Sequence, residues 1–446
     1  MTDENTAPEL PSFGAATRVW LRIGLLSFGG PAGQIALMHR ELVDDRRWVS
    51  DARFLHALNF CTLLPGPEAM QLATYLGWLM HGVKGGLVAG TLFVLPGALV
   101  MLVLSLIYAL FGAVPVISAI FFGLKCAVLV LVVEALLRVA KRALKSSEAY
   151  ALAIAAFLAL FVFAVPFPIV VLACALVGYW RADTFRAGGH GTAKAGPPAA
   201  IDSALANDPG RVTALAASAW YAGWATTALW LVPLGLLVGL HEGVFADVAW
   251  FFSKMAVLTF GGAYAVLAYV AQQAVEDYKW LSAGQMLTGL GLAETTPGPL
   301  ILVLQFVGFH AGLRDFGIPG AILASVITLW MTFMPCFAWI FLGAPYIEKL
   351  QNAPRLQSAL AGVTAGVVGV IANLALWFAL HVLFSELRIL RLGPATLDVP
   401  VLTSLDWQAL VLAVVAAVAL FQFKRGVLTT LGVTSAVGLV LKLALG

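Results

Sequence analysis

The chain has 446 residues, 61% of them hydrophobic and 11% charged, with a formal net charge of +3. Ordinary soluble domains carry roughly 25% charged residues, so this composition excludes them, and so small a net charge gives no footprint for a nucleic-acid partner. The four cysteines (Cys61, Cys126, Cys174 and Cys336) stand singly in apolar stretches, without disulfide or zinc-ligand spacing.

In chain order, residues 1–11 form a polar, slightly acidic tail that lacks the basic start of a cleaved signal peptide. Residues 12–180 read as a first repeat. Its opening apolar run, 19–28, is interrupted by "SFGGPAGQ" at 27–34, and a second interruption comes at Pro65, Gly66 and Pro67. Runs at 85–111 and 116–139 exceed the ~20 residues that cross a bilayer core. Shorter runs cover 149–165 and 168–180, and residues 181–211 are a polar Gly/Ala/Pro-rich linker. Residues 212–240 read as one connecting transmembrane helix. Residues 241–446 read as a second repeat, with "TFGGAYAV" at 259–266, a PGP triplet at Pro297, Gly298 and Pro299, and long runs at 318–341 and 360–384. It closes with short runs at 407–423 and 426–445. The fold predicted is an all-α polytopic protein whose solvent is the lipid bilayer.

The repeats align by subtraction. Phe28, Gly29 and Gly30 meet Phe260, Gly261 and Gly262 at an offset of 232 (260 − 28). The same offset pairs Asp45 with Asp277, Trp48 with Trp280, Ser50 with Ser282, and the two PGP triplets. Further on, Gly123 and Ala127 fit Gly362 and Gly366. A single extra crossing between two copies turns the second upside down. The charges agree with this, because short Lys/Arg-rich loops stay in the cytoplasm. Arg46, Arg47, Arg53, Lys84 and the basic stretch 138–145 share one side in copy one, whereas Lys349 and Arg355 lie on an alternate loop of copy two. Two inverted-topology repeats are expected, in a bacterial inner membrane, with the N-terminus cytoplasmic and the C-terminus periplasmic.

The arms flanking each break are too short to span: 12 to 16 residues reach roughly 18–24 Å, against a ~30 Å core. They predict re-entrant helical hairpins with tips deep in the bilayer. Irregular backbone survives there only beside protein or a water-lined cavity, and discontinuous helices of inverted-repeat transporters form the substrate site. Pro31 and Pro67 suit a first helical position, and the N–H groups behind them, with the helix dipole, suit a compact oxyanion. Gly and Pro also mark plain kinks in membrane helices; repetition in register favours the tip reading.

Ionisable residues inside apolar segments are functional candidates. Arg22 and Lys254 are mates at the offset of 232 and suit an anion site or vestibule, with snorkelling as the alternative. Arg18 has no cationic mate and reads as an interface anchor. Lys125 lies near the middle of its run, where it could touch the anion or pair with a carboxylate, and Glu134 on the same helix reads as structural. Glu68 and Glu294 flank the two PGP turns and are candidates for proton coupling; dipole compensation is the other reading of Glu68. Asp45 and Asp277 read as hairpin caps beside Trp48 and Trp280. Gln34, Asn59, Gln71, Gln285 and Gln305 could donate to an oxyanion, Gln34 foremost. His39, His56 and His81 show no metal spacing, and no metal or cofactor is expected.

"LLSFGGPAGQ", "LHALNFCTLLPGPEAMQLATYLGW", "LTFGGAYAVLAYV" and "TTPGPLILVLQFVG" together resemble the chromate ion transporter family in its long, two-domain form, over nearly the whole chain. The resemblance implies export of chromate and chromate resistance, with sulfate as analogue and competitor. By motif it carries over Phe28, Gly29, Gly30, Pro31 and Gln34, and Pro65, Gly66, Pro67 and Glu68. Copy two departs at Ala263, where copy one has Pro31, and at Val266, where copy one has Gln34. No Walker-type loop is present, so a secondary transporter is expected rather than an enzyme. An anion channel, a sulfate or other oxyanion transporter, and a homodimeric assembly are compatible with the same residues.

Overall fold

The structure, a computed structural model, describes residues 9–185, 199–208, 210–240, 243–260, 263–344, 354–393 and 395–445. Most of the predicted linker, and Gly261 and Gly262 of the second FGG, lie outside the described residues.

The chain is an all-α polytopic membrane protein. Copy one begins with α1 (Phe13–Leu26), capped by Ser12, whose hydroxyl accepts from the Ala15 N–H at 3.3 Å. The helix stops where Gly29 and Gly30 take left-handed φ of 85° and 71°, a conformation that residues with a Cβ rarely adopt. α2 (Gly30–His39) restarts at once with Pro31 in its first turn and ends in a π-helical turn (Arg40–Asp44). Ser50 caps α3 (Asp51–Cys61), and the PGP triplet separates α3 from α4 (Glu68–Phe111). With 14, 10 and 11 residues, α1, α2 and α3 reach about 21, 15 and 17 Å. None of the three crosses a ~30 Å core. α5 (Pro115–Ala143), α6 (Ser147–Phe161) and α7 (Phe167–Trp180) complete this half. α8 (Ala200–Asn207) and α9 (Gly210–Leu240) come next.

Copy two repeats the pattern. α10 (Val244–Leu258) leads to α11 (Ala263–Gln272) with its own π-helical turn (Gln273–Asp277), then α12 (Ala283–Thr295), capped by a Ser282–Gln285 capping box, and the second PGP. A short 3₁₀ turn (Leu300–Leu302) opens α13 (Val303–Gly343). α14 (Pro354–Leu383), α15 (Trp407–Ala417) and α16 (Val427–Leu445) close the chain.

Six helical stretches are long and apolar enough to cross a membrane among the described residues. Two of these, at 44 residues each, are twice too long for one crossing. Both fold back at a glycine: Gly82 (φ 62°, ψ −155°) turns α4 and Gly317 (φ 63°, ψ −158°) turns α13, in a region essentially restricted to glycine. Residues 68–80 are thus a short arm and 83–111 the span, which agrees with the apolar run 85–111 of the sequence.

The halves interlock. α5 of copy one packs on α15 and α16 of copy two, while α14 packs on α6 and α7. The glycines paired in the sequence sit at these crossings. A Cβ on Gly123 would lie 2.5 Å from the Thr434 carbonyl oxygen, and one on Gly362 would lie 2.5 Å from that of Cys174. α8 docks on the end of the first hairpin, where Arg53 pairs with Asp202 at 2.6 Å and the Ala200 N–H donates to the Arg47 carbonyl at 3.0 Å.

One feature departs from an all-helical prediction. "LRILRL", which lies between the apolar runs 360–384 and 407–423, forms β1 (Leu387–Leu392), antiparallel to β2 (Ala395–Pro400), with Ile389 opposite Asp398 and Gly393 left-handed in the turn. Six-residue strands with one open face carry little periodic signal, and pairing rather than propensity decides them.

Candidate functional site

The four breaks meet, and they meet reciprocally. The Gly66 N–H of the first PGP donates to the Thr259 carbonyl before the second FGG, at 2.8 Å. The Gly298 N–H of the second PGP donates to the Ser27 carbonyl before the first FGG, also at 2.8 Å. Both partners keep the repeat offset (298 − 66 = 232; 259 − 27 = 232). Such an i-to-j, j-to-i exchange is what a two-fold relation between like units produces. The hydroxyls of Ser27 and Thr259 bond back one turn, to the carbonyls of Ile23 (2.6 Å) and Met255 (2.5 Å). The carbonyls that receive the tips therefore belong to the last residues before each break.

Packing fixes the tips further. A Cβ on Gly97 of α4 would lie 1.9 Å from the Pro297 carbonyl oxygen, so the second PGP rests directly on that backbone. The first PGP rests on Cys336, whose Sγ would be 2.9 Å from a Cβ on Gly66. Pro297, Gly298 and Pro299 are buried, whereas Pro65 and Pro67 are partly accessible. Among the described tips the first FGG is the open one: Gly29 is exposed, and a Cβ on Gly29 or Gly30 would meet no atom within 4 Å. Phe28 is half-buried beside it, and Ala32 and Gly33 at the start of α2 are exposed. Left-handed glycines leading into a helix start turn successive N–H groups to one side, the geometry of an anion nest.

The predicted polar residues divide. Gln34 donates from Nε2 to the Gly298 carbonyl at 2.6 Å, clamping the opposite tip, while its Oε1 is buried without a partner. Gln71 donates to Pro65 (2.7 Å) and Gln305 to Ala98 (3.0 Å), so these amides brace backbone. Gln285 belongs to the α12 capping box. Arg22 forms an ion pair with Glu41 at 3.1 Å, and Arg46 holds the same carboxylate at 2.5 Å. Glu41, 1% exposed, thus joins two arginines, which leaves the trio one net positive charge. Lys254 donates to the Tyr269 hydroxyl at 3.1 Å and lies over the Phe251 and Tyr269 rings. Lys125 lies 5.5 Å from the Phe122 ring centroid, beside Gly284 at the start of α12, and Lys442 shares that ring. Lys125 is therefore placed at the hairpin end of α12, away from the PGP tip.

Glu68 is the first residue of α4, where the helix dipole favours its charge. Glu294 is 6% exposed and accepts the Tyr264 hydroxyl at 2.5 Å. Asp45 and Asp277 lie at the hairpin ends, where Arg47 and Lys279 take left-handed φ of 50° and 52°. The N–H groups of Trp48 and Trp280 donate to Leu42 and Ala274, both at 2.8 Å. His39 bridges Asp44 (3.2 Å) and Asp51 (2.8 Å), and His81 bonds the Pro11 carbonyl. Sequence reasoning missed Glu41 and Tyr264. Nothing local marks Glu41, but Tyr264 was detectable as a departure between repeats, since its mate is Ala32.

A model of the chromate transporter family matches residues 15–179 and 246–440. A chromate transport protein of Pseudomonas aeruginosa is 36% identical over 360 residues, 79% of this chain and 77% of the relative. One of Cupriavidus metallidurans is 28% identical over 365 residues, 79% of each. A probable chromate transport protein of Synechococcus elongatus is 27% identical over 360 residues, 80% of this chain and 82% of the relative. No solved structure matches. With both FGG/PGP halves inside the matched ranges, the chain belongs to the chromate transporter family.

Proposed function

We propose that this protein is a secondary transporter that exports chromate from the cytoplasm across the bacterial inner membrane and so confers chromate resistance. Residues 12–180 and 241–446 act as inverted transporter repeats, tied by the linker 181–211 and the helix 212–240, with the N-terminus cytoplasmic and the C-terminus periplasmic. The observation that carries the reading is the reciprocal tip exchange, Gly66 to Thr259 and Gly298 to Ser27. It brings the broken segments of both halves to one place, as discontinuous helices do at a transporter's substrate site.

The anion lodges at the open first tip, against Gly29, Gly30 and the N-terminus of α2, with Phe28 and Pro31 shaping the turn and the PGP residues backing it. Arg22, through the net charge it shares with Arg46 and Glu41, draws the dianion to the vestibule. Lys254 and Lys125 add positive potential from copy two's first arm and from the start of α12. The inside-negative potential drives a dianion outward by about 4.6 kcal/mol per 100 mV, twice the ~2.3 for one charge, without an ATPase. Sulfate, with the same charge and shape, competes.

The test uses purified protein in liposomes under an inside-negative potential, with labelled chromate leaving the lumen. Saturable, potential-dependent efflux that sulfate inhibits, and that falls in an Arg22→Ala, Lys254→Ala double variant, is expected. Absence of any anion movement overturns the reading, and single-channel currents would replace the carrier with a channel.

A further inference from the structure

Most of the tip framework obeys the repeat, yet one polar pair beside it does not. At the offset of 232, Tyr264 corresponds to Ala32 and Glu294 to Thr62, so the Tyr264–Glu294 hydrogen bond exists in copy two alone. A bond needed only to hold a hairpin would be needed in both copies. Tyr264 is the second residue of α11, directly behind the second FGG, and Glu294 lies three residues before Pro297. The bond therefore ties together the two broken segments of one half.

The carboxylate is buried, with polar groups of α5 beside it. Arg138 of α5, which is ion-paired with Glu134, acts electrostatically on both Glu294 and Tyr264. The side chains of Arg138 and Glu134 are 41% and 27% exposed. Arg142 continues the stripe one turn on, so α5 lays polar groups from the buried pair to its basic end. The charged and titratable groups that act on Glu294 are Tyr264 from α11 and Arg138 and Glu134 from α5. α4, α13, α14 and α16, which also pack on α12, add none to these among the described residues. Glu68, the first residue of α4, also meets this stripe, through Arg142, and is a second carboxylate that the experiment must distinguish from the Tyr264–Glu294 pair.

From this geometry we infer that Glu294, held by Tyr264, binds one proton whenever a dianion occupies the tips, and that the α5 stripe of Glu134, Arg138 and Arg142 connects it to bulk water. The inference rests on the proposed anion transport. Two negative charges arriving beside a buried carboxylate repel it, and taking up a proton removes that repulsion. Water at the basic end of α5 supplies the proton through the stripe and the carboxylate becomes the neutral acid; when the dianion leaves to the opposite side, the proton is released past the tips to that same side. Each dianion then moves with one proton and one net negative charge instead of two, and the potential still favours its exit.

The experiment counts protons and charge per chromate in proteoliposomes at mildly alkaline pH, where chromate stays a dianion, with a pH-sensitive dye in the lumen. Wild type is expected to move one proton with each chromate. Glu294→Gln is expected to move chromate without a proton and with two charges. Tyr264→Phe keeps the proton count and shifts the pH profile of flux, and Glu68→Gln leaves the count unchanged. The wild-type count decides even if a variant fails to insert. Wild-type chromate flux without protons, or protons retained in Glu294→Gln, overturns the coupling and leaves the transport standing. No chromate flux in wild type overturns both.

Discussion

Gly97 lies in a long spanning helix, 30 residues beyond the nearest motif (97 − 67), and nothing in its surroundings in the sequence marks it. In the fold it is the floor beneath the second PGP. A methyl group there would sit 1.9 Å from the Pro297 carbonyl oxygen and 2.6 Å from the Leu302 side chain. Real Cβ atoms essentially never approach below 3.0 Å, so the tip or the helix must yield by at least 1.1 Å (3.0 − 1.9). The contact that must move is backbone on backbone, with no rotamer to absorb it. Overpacking of this kind costs about 1–3 kcal/mol. The displaced tip also carries the Gly298 N–H that reaches Ser27, and the carbonyl that accepts from Gln34. Misplacing a working group by ~1 Å can lower a rate by ~10²-fold.

Gly97→Ala is therefore expected to insert and fold with a modest loss of thermal stability, and to lose chromate flux by about two orders of magnitude. Gly235→Ala on α9 is the control, because a Cβ there meets nothing within 4 Å. It should leave flux intact and, if anything, raise helix stability by up to ~1 kcal/mol. Flux per folded protein in proteoliposomes, with thermal unfolding of the same preparations, separates the two effects. Wild-type flux from Gly97→Ala would refute the premise that the position of this tip sets the rate.

Glu41→Ala should destabilise by about 1.5–3 kcal/mol, since it removes the buried carboxylate that two partly exposed arginines share. Arg22→Ala, with its side chain 59% exposed and Arg46 still in place, should cost under ~1 kcal/mol; thermal unfolding in detergent orders the two. Gly317→Ala forces a Cβ into φ 63°, ψ −158° with open space around it, so strain alone should cost about 1–3 kcal/mol by the same measurement. All four native cysteines are buried, so a membrane-impermeant maleimide should leave the wild type unlabelled. Thr403→Cys, exposed after the β-hairpin, should be labelled from outside intact cells if copy two is inverted, and only after permeabilisation if it is not.

Local chemistry carries much of the architecture. Gly29, Gly30 and Pro31 break a helix wherever they occur, and the Gly82 and Gly317 turns fall where the apolar runs divide. Composition alone places the long runs in a bilayer. What the sequence does not disclose depends on contacts far apart in the chain. The bond from Gly66 to Thr259 joins backbones 193 residues apart (259 − 66), and backbone groups leave no mark on residue type. Arg22 reads as free because its partner Glu41 lies in a stretch, "HRELVDD", that has the composition of a polar hairpin end. Gln34 reads as a donor for an anion, and its amide instead holds the opposite tip.

The symmetry of this framework constrains how it can move. Gly66 and Gly298 are buried, so breaking either tip bond without replacement costs about 1–3 kcal/mol for the stranded groups. Each bond also joins the PGP of one half to the first arm of the other, and displacing one half alone loads both bonds. The inexpensive motion keeps the four tips together as one unit and swings the spans around them. Gly82 and Gly317, the sharp turns where the short arms of α4 and α13 meet their spans, are matched between halves and lie outside the tips. On the proposed inverted arrangement of the halves, matched turns give the inward-open and outward-open states similar energies. The unmatched residues then bias the cycle: Tyr264 and Glu294 against Ala32 and Thr62, and Gln34 against Val266. On the proposed coupling, restoring symmetry at those few positions should leave a protein that folds and exchanges anion but no longer ties it to a proton.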